Sequence, residues 1–198
     1  MNVRERLPEY IYPPKIYRNF WSESVLAELQ TLINDFYNDK LLLRLQYTFW
    51  AKNLWKDSAP ILAYDLNNPD LINQIGKELN DIYPLEETLE NDWDVSCILT
   101  FGMRGSFIPF HSDKGYKLAS TTYLNHDWEL NWGGFFLYED YDGIIHAEHP
   151  EYNKMIIQPP INHATTIVAH SAPPRISLQI LIDSEETAQQ KGHDLEKL

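Results

Sequence analysis

The second half of the chain is a succession of short β-rich segments, and this pattern restricts the possible folds more than any other feature of the sequence. Gly, Pro, Asn and Asp residues separate the segments, as expected for strands joined by turns. In order along the chain they are DVSCILTF, SFIPFH, STTYLN, GGFFLYED, NKMIIQPP, ATTIVA and RISLQILI. Many short strands in succession predict an antiparallel sandwich or barrel.

Two amphipathic helices are predicted before these strands. Ser22 or Ser24 can cap the first helix, and Asn68 can cap the second, with Pro69 at its first helical position. Pro84 is expected to end the second helix. The apolar faces recur at three- and four-residue steps and comprise Val25, Leu26, Leu29, Leu32, Ile33 and Phe36, then Leu71, Ile72, Ile75, Leu79 and Ile82. These helices are expected to pack on the outside of the β structure.

A length of 198 residues suggests a single domain that spans the whole chain. We expect helical support from about residue 20 to 90, a β core from about 92 to 182 and a polar tail from 183 to 198. The predicted fold class is therefore mainly β with flanking helices.

The composition disfavours several classes of protein. A formal net charge of −13 argues against direct binding to a nucleic-acid backbone, which requires clustered Lys and Arg. No segment has the roughly 18 apolar residues of a membrane span, and the N-terminus lacks the apolar stretch of a signal peptide. The single cysteine, Cys97, is interpreted as a core residue and leaves no internal disulfide. We expect a cytoplasmic protein without a membrane or nucleic-acid partner.

The segment FIPFHSDKGYKL ends an apolar strand on a histidine and an aspartate two positions apart. In an extended chain, residues i and i+2 point to the same side, so His111 and Asp113 converge on one point. One neutral nitrogen and one carboxylate oxygen suit a divalent metal. A second histidine would complete the two-His, one-carboxylate set of non-haem Fe(II) sites. The pair alone is a weak signal, so the interpretation requires a third ligand from a distant strand.

Two histidines are candidates for that third ligand. His163 follows the strand NKMIIQ and a Pro-Pro turn, whereas His170 lies in the loop AHSAPP. A strand-flanked histidine suits a rigid metal site, so His163 is favoured and His170 stays the alternative. No role is assigned to the histidines of a predicted turn, of the acidic insert and of the polar tail, which are His126, His146, His149 and His193.

Arg175 opens the otherwise apolar strand RISLQILI, with Ser177 on the same face. A strand-edge arginine that pairs with a carboxylate is the structural alternative. A guanidinium aimed into the barrel can instead bind a ligand carboxylate through two parallel hydrogen bonds, and the Ser177 hydroxyl would add a donor.

Together these segments resemble the 2-oxoglutarate- and Fe(II)-dependent dioxygenases, specifically the prolyl 4-hydroxylase-like branch. The resemblance extends from about Ile11 to Ile182 and rests on the ordered motifs HSD, TTYLNHDWELNWGGFFLYED, QPPINHATTIV and PPRISLQI. It implies a double-stranded β-helix, a cupin-like jelly roll, supported by N-terminal helices. It also implies a hydroxylase that uses Fe(II), consumes 2-oxoglutarate and releases succinate and CO2, with ascorbate as a candidate reductant.

Carried over by position, the resemblance makes His111, Asp113 and His163 the ligands of Fe(II) and the catalytic centre. Arg175 would bind the distal carboxylate of 2-oxoglutarate, assisted by Ser177. The carboxylate of Asp113 implies hydroxylation, because related halogenases have a small residue at this position and bind chloride there.

The resemblance also assigns secondary contacts to the cosubstrate. In relatives a tyrosine ten residues before the first metal-binding histidine often makes such a contact, and here that position is Phe101. A second tyrosine contact falls at Thr122, next to Tyr123. All three residues are therefore candidates for binding 2-oxoglutarate.

The substrate class that the resemblance implies is an amino-acid side chain, with proline first, in a peptide, a protein or a free amino acid. Loops at the barrel mouth are expected to select it, namely KGYKLAS, YTFWAKNLW and the acidic insert YEDYDGIIHAEHPEY. The acidic insert is expected to attract Lys or Arg near the target residue. The alternatives are a non-catalytic jelly-roll module that binds a ligand or partner, a dioxygenase acting on another small molecule, and demethylation of alkylated nucleic acid.

Overall fold

Two antiparallel sheets enclose a cavity in the structure, a computed structural model that describes residues 13–45, 58–82, 95–113, 116–158 and 161–183. The helices are α1 (Glu23–Tyr37) and α2 (Pro69–Asn80), and a 3-10 turn covers Leu130–Trp132. The strands are β1 (Lys15–Arg18), β2 (Arg44–Leu45), β3 (Ile61–Asp65), β4 (Val95–Gly102), β5 (Ile108–His111), β6 (Tyr116–Tyr123), β7 (Phe136–Glu139), β8 (Ile145–Glu148), β9 (Lys154–Gln158), β10 (His163–Thr165) and β11 (Arg175–Asp183).

The strand order confirms the predicted fold class, which is mainly β with a jelly-roll core and flanking helices. The large sheet has the order β1-β9-β6-β11-β4-β3-β2, and the small sheet has the order β5-β10-β7-β8. Every pairing among the described strands is antiparallel. From β4 to β11 the chain passes repeatedly from one sheet to the other, with the β7–β8 hairpin as the exception, so the core is built from many short strands.

The central strand β11 shows how the large sheet separates two environments. Its even-numbered residues, from Ile176 to Ile182, are buried in a core that also contains Val25 and Leu29 of α1 and Leu71 of α2. Its odd-numbered residues point to the opposite side, because side chains alternate along a strand. The helices therefore cover one face of the sheet and leave the other for the cavity.

The predicted helix starts are confirmed in atomic detail. The Ser22 hydroxyl accepts a hydrogen bond from the backbone N–H of Val25, and the Asn68 side chain accepts from the N–H groups of Asp70 and Leu71. Pro69 occupies the first turn of α2, where backbone N–H groups form no hydrogen bond within the helix, so the missing N–H of proline costs nothing. Helix α2 ends at Asn80, and Pro84 lies outside the described residues. Neither α1 nor α2 has the length and apolarity needed to cross a lipid bilayer, and they are the α-helices among the described residues.

The acidic insert corrects one expectation, because part of it forms strand β8 and not a loop. A tight turn joins β7 to β8, in which the Asp140 carboxylate accepts hydrogen bonds from the N–H groups of Asp142 and Ile144. Gly143 supplies a positive φ of 78°. His146 then lies opposite Tyr138 in the sheet and donates to Asp140 at 2.6 Å, which lowers the pKa of that carboxyl group. The aromatic run YTFWAKNLW lies outside the described residues.

Strand β3 was not predicted, and the predicted strand ATTIVA is shorter in the structure. Strand β10 contains His163–Thr165 only. The pairing of β10 with β5 is irregular between His163 and Thr165, and the next residues turn to bond the Gly-Gly segment, with Gly134 N–H donating to the carbonyl of Ile167. His163 consequently belongs to the strand itself and not to the turn before it.

Candidate metal and carboxylate site

Strands β5 and β10 bring two histidines face to face. His111 is the last residue of β5 and His163 is the first residue of β10, and the two are directly paired in the antiparallel register. Directly paired residues point to the same side of a sheet. The two imidazole ring centres are 4.3 Å apart on the side that faces the large sheet. The pairing of β5 with β10 therefore brings together two histidines that are 52 positions apart in the sequence.

The carboxylate of Asp113 completes the group. Its Oδ1 lies 3.5 Å from Nε2 of His111, and its Oδ2 lies 3.4 Å from Nε2 of His163. The three ligand atoms are all within 4.8 Å of one another. Two imidazole nitrogens and one carboxylate oxygen that converge in this way fit a divalent cation with open positions for other ligands. His170 is exposed in a loop beside Gly105 and is not part of this group.

Each histidine is held in the tautomer that metal binding requires. Nδ1 of His111 lies 2.8 Å from the carbonyl oxygen of Pro109, and Nδ1 of His163 lies 2.9 Å from that of Ile161. A carbonyl can only accept, so Nδ1 carries the proton in both rings and Nε2 keeps its lone pair toward Asp113. Burial lowers the pKa of His163, although Asp113 acts in the opposite direction, so this ring stays neutral at pH 7.

Arg175 is buried in the same cavity, and no described residue supplies it with an anionic partner. The residue is 4% exposed, its Nη1 donates to the carbonyl of Gly134 at 3.2 Å, and its Nε has no hydrogen-bond partner among the described residues. No described carboxylate lies within ion-pair distance, so the strand-edge ion pair is not seen among these residues. Burial lowers the pKa of Arg175, but a guanidinium remains charged at neutral pH. A buried charge of this kind calls for an anion.

Tyr123 faces Arg175 across the cavity wall. The guanidinium carbon lies 5.8 Å from the centre of the Tyr123 ring, and no described residue forms a hydrogen bond with the buried phenol hydroxyl. Burial raises the pKa of Tyr123 to about 12, so the hydroxyl keeps its proton and can donate. Arg175 and Tyr123 thus offer two kinds of unused donor to one ligand.

The Gly-Gly segment, Gly133 and Gly134, leaves the space that the Arg175 side chain occupies. A Cβ atom at Gly134 would lie 2.8 Å from Cδ of Arg175, and a Cβ atom at Gly133 would lie 2.1 Å from the carbonyl oxygen of Ile167. Both glycines also have a positive φ of 67°. The close approach of backbone to side chain therefore requires glycine at both positions. Asn125 of the TTYLN motif holds the backbone on both sides of Arg175, because its side chain donates to the carbonyl of Pro174 and accepts from the N–H of Ile176.

One cavity joins the metal-ligand group to Arg175. Its walls come from both sheets, so the sandwich packing and not any single loop creates it. The apolar part of the wall includes Ile98, Ile108, Phe136 and Leu181, which limits access of water to the polar groups. The polar residues that line it include His111, Asp113, Tyr123, Gln158, His163 and Arg175.

Three of the predicted cosubstrate contacts do not reach this cavity. Ser177 lies on the same face as Arg175, but its hydroxyl is paired with the Thr100 hydroxyl at 2.8 Å and does not line the cavity. Thr122 and Phe101 lie on the helix-facing side of the sheet. The Thr122 hydroxyl accepts from the indole N–H of Trp21 at 3.0 Å, and Phe101 stacks on Phe36 at 3.9 Å between ring centres. Side chains alternate between the two faces along β4 and β6, which directs Phe101 and Thr122 toward the helices. Tyr123, the residue after Thr122, faces the cavity.

Gln158 is a cavity residue that the sequence analysis missed. It ends strand β9, and its amide nitrogen lies 3.1 Å from Nε2 of His163. A polar residue at the end of the apolar run NKMIIQ was the available signal, but nothing local indicated which side chain it would meet.

The fold is shared with known oxygenases. A prolyl-4-hydroxylase of Pseudomonas putida superimposes with a TM-score of 0.69 at 14% identity, covering 86% of this chain and 92% of that one. A Trichoplax adhaerens prolyl hydroxylase, solved with a peptide fragment of the hypoxia inducible factor oxygen degradation domain, gives 0.68 at 12% identity over 88% and 84% of the two chains. A 2OG-Fe(II) oxygenase family oxidoreductase of Burkholderia pseudomallei gives 0.59 at 15% identity over 86% and 84%.

The likeness is confined to structure. No protein-family model matches the sequence, and no curated protein matches it. At 12–15% identity the comparisons establish a shared fold of the prolyl 4-hydroxylase type, and the chemistry must be argued from the site itself.

Proposed function

We propose that this protein is an Fe(II)- and 2-oxoglutarate-dependent dioxygenase that hydroxylates an amino-acid side chain, with a prolyl residue as the first candidate, and releases succinate and CO2. The observation that carries the proposal is a buried guanidinium, without a carboxylate partner among the described residues, in the same cavity as a His-Asp-His group. A dicarboxylate that contacts a metal at one end and Arg175 at the other would satisfy both features.

The roles of the residues follow from their contacts. His111, Asp113 and His163 would hold Fe(II) through Nε2, a carboxylate oxygen and Nε2, leaving room for three more ligands. Arg175 would bind the distal carboxylate of 2-oxoglutarate through Nε, and Tyr123 would add its hydroxyl. When bound, the iron supplies the oxygen-activation chemistry, and the apolar wall of Ile108 and its neighbours excludes water from it.

The retained carboxylate of Asp113 supports hydroxylation over halogenation. It lies between the two histidines, 3.5 and 3.4 Å from their Nε2 atoms, where a halide would have to bind. The Asp113 side chain is 14% exposed, so little of it is hydrated, and no Lys or Arg among the described residues forms an ion pair with it. A metal ion would supply the positive charge that this carboxylate lacks.

The first test measures cosubstrate binding without catalysis. Under anaerobic conditions the protein loaded with Fe(II) should bind 2-oxoglutarate, and an Arg175→Met variant should bind it at least about 100-fold more weakly, because a charge-assisted bidentate contact is lost. Metal affinity should be unchanged in Arg175→Met, which serves as the control for the integrity of the metal site. An iron-loaded wild-type protein that does not bind 2-oxoglutarate contradicts the proposal.

The second test concerns the substrate. Aerobic reactions with Fe(II), 2-oxoglutarate and ascorbate are run with proline-containing peptides, whose flanking residues are basic in one set and acidic in another, and with free amino acids. Succinate formation together with a product heavier by one oxygen atom supports the hydroxylase. Binding of peptides with no succinate formation would instead support the non-catalytic jelly-roll module.

A further inference from the structure

Gln158 is in direct contact with a metal-ligand atom. It is 3% exposed at the end of β9, and its Nε2 lies 3.1 Å from Nε2 of His163. Its other amide atom, Oε1, is buried and accepts no hydrogen bond from the part of the chain that the structure describes. The one described hydrogen bond of this amide is therefore made to Nε2 of His163, the atom that points into the cavity.

The direction of this hydrogen bond is determined by the tautomer of His163. Because Nδ1 of His163 donates to the carbonyl of Ile161, Nε2 has no proton and can only accept. The Gln158 amide must then be the donor. The lone pair that it contacts is the same lone pair that would bind a metal ion.

Two partners thus compete for one lone pair. A metal ion on Nε2 of His163 displaces the Gln158 donor and leaves both ends of a buried amide without a partner. An unsatisfied buried amide is unfavourable, so the side chain needs a replacement. Oxygen ligands that would fill the open positions of the metal would lie in the same cavity, which Gln158 lines.

We propose that Gln158 is a positioning residue for the cosubstrate. With a metal ion bound, its amide would turn from His163 and donate a hydrogen bond to an oxygen atom at the metal-bound end of 2-oxoglutarate. This inference rests on the proposed function and adds a contact to it. Without a metal ion Gln158 donates to the lone pair of His163, and with a metal ion bound it would favour the dicarboxylate.

The proposal predicts that loss of the Gln158 amide lowers the affinity for 2-oxoglutarate but not the affinity for the metal, and the test measures both in the full-length protein. Gln158→Met keeps the length and burial of the side chain but removes its donors. Affinity for Mn(II), a redox-inert probe, should stay the same or rise by up to about threefold, because the competing donor is gone. Affinity of the Mn(II)-loaded protein for 2-oxoglutarate should fall about tenfold, the size of one lost hydrogen bond.

Calorimetric titrations of Mn(II), and then of 2-oxoglutarate, give the two constants. Gln158→Leu is the second variant and should show the same split, while Gln30→Met on the surface of α1 controls for the substitution itself. A Gln158→Met protein that binds 2-oxoglutarate as tightly as the wild type overturns this inference alone. A parallel loss of both affinities also overturns it, since Gln158 would then only support His163. A wild-type Mn(II) protein that does not bind 2-oxoglutarate overturns the proposed function as well.

Discussion

The two faces of the large sheet are built from alternate residues of the same strands, yet their side chains are in opposite states. On the helix side, Leu178 and its even-numbered neighbours are buried among aliphatic groups from α1 and α2. On the cavity side, Arg175 and Tyr123 are buried with polar atoms that have no hydrogen-bond partner within the described segments. The helix-side residues need no ligand, whereas the polar atoms on the cavity side lack hydrogen-bond partners. One face of the sheet therefore contributes mainly to stability and the other to ligand binding.

The largest expected effect on stability is on the helix side. Leu178→Ala removes a fully buried side chain at the centre of the core and should lower the free energy of unfolding by about 2–5 kcal/mol. Chemical denaturation measures this change. Metal affinity of the folded protein should stay within about twofold of wild type, since the cavity face keeps every polar group. A comparable loss of metal affinity would mean that the two faces are not independent.

Asp113→Ala makes the reciprocal change on the cavity side. Removing one of three converging ligands should weaken Fe(II) or Mn(II) binding by more than about 100-fold, because even indirect partners of metal ligands contribute about 10–100-fold. The unfolding free energy of the metal-free protein should change by less than about 1 kcal/mol, since the ion-pair candidates of Asp113 among the described residues are two imidazole rings and no Lys or Arg. Metal titration and denaturation of the same sample check both statements. A large loss of stability without metal would give Asp113 a structural role.

Gly134→Ala tests how far the cavity depends on close approach of the backbone. The added Cβ would lie 2.8 Å from Cδ of Arg175, so we expect a loss of about 1–3 kcal/mol and weaker 2-oxoglutarate binding. Gly143→Ala is the matched control, because Gly143 also has a positive φ but its nearest neighbouring atom is 3.8 Å away. Thermal denaturation and cosubstrate titration of both variants separate the clash from backbone strain. Equal cosubstrate affinities in the two variants would show that Arg175 adapts freely.

The smallest effect is a pH dependence of the metal-free protein. Burial lowers the folded-state pKa of His163, so between that value and about 6.5 the unfolded chain binds more protons than the folded chain. The contribution of His163 to stability is therefore complete above about pH 6.5 and declines on acidification, by at most about 1.4 kcal/mol per pH unit. His163→Asn should have a shallower dependence between pH 5 and 7 in denaturation experiments at about 0.1 M salt. Identical slopes in the two proteins would mean that His163 remains neutral only in the metal-bound state.

What could be predicted from the sequence depends on how local the cause is. The helix caps at Ser22 and Asn68 were predictable because a cap and its N–H partners are two or three residues apart. The inward direction of His111 and Asp113 followed from strand periodicity in the same way. The fold class followed from the repeated spacing of strands and turns.

The rest depends on register between distant strands. Strand β4 is buried on both faces, so its apolar run contains no alternation from which the helix-facing direction of Phe101 could be predicted. The contact of Gly134 with Arg175 spans 41 residues, whereas Gln158 and His163 are only 5 positions apart but lie on strands of different sheets, whose packing decides that they meet. Strand β8 was missed because its polar, acidic sequence resembles a loop, and its pairing with β7 comes from the Asp140 turn.

The position of the metal-ligand group in the small sheet has a consequence for dynamics. Strand β5 is at the edge of that sheet, and among the described strands it pairs with β10 alone, through an irregular register. Edge strands with few backbone hydrogen bonds open more readily than central ones. A metal ion shared by His111 on the edge and His163 on its neighbour would act as a cross-link between the two strands. Chelation would then loosen one edge of the barrel before it affected the core beneath the helices, and amide hydrogen exchange would record that order.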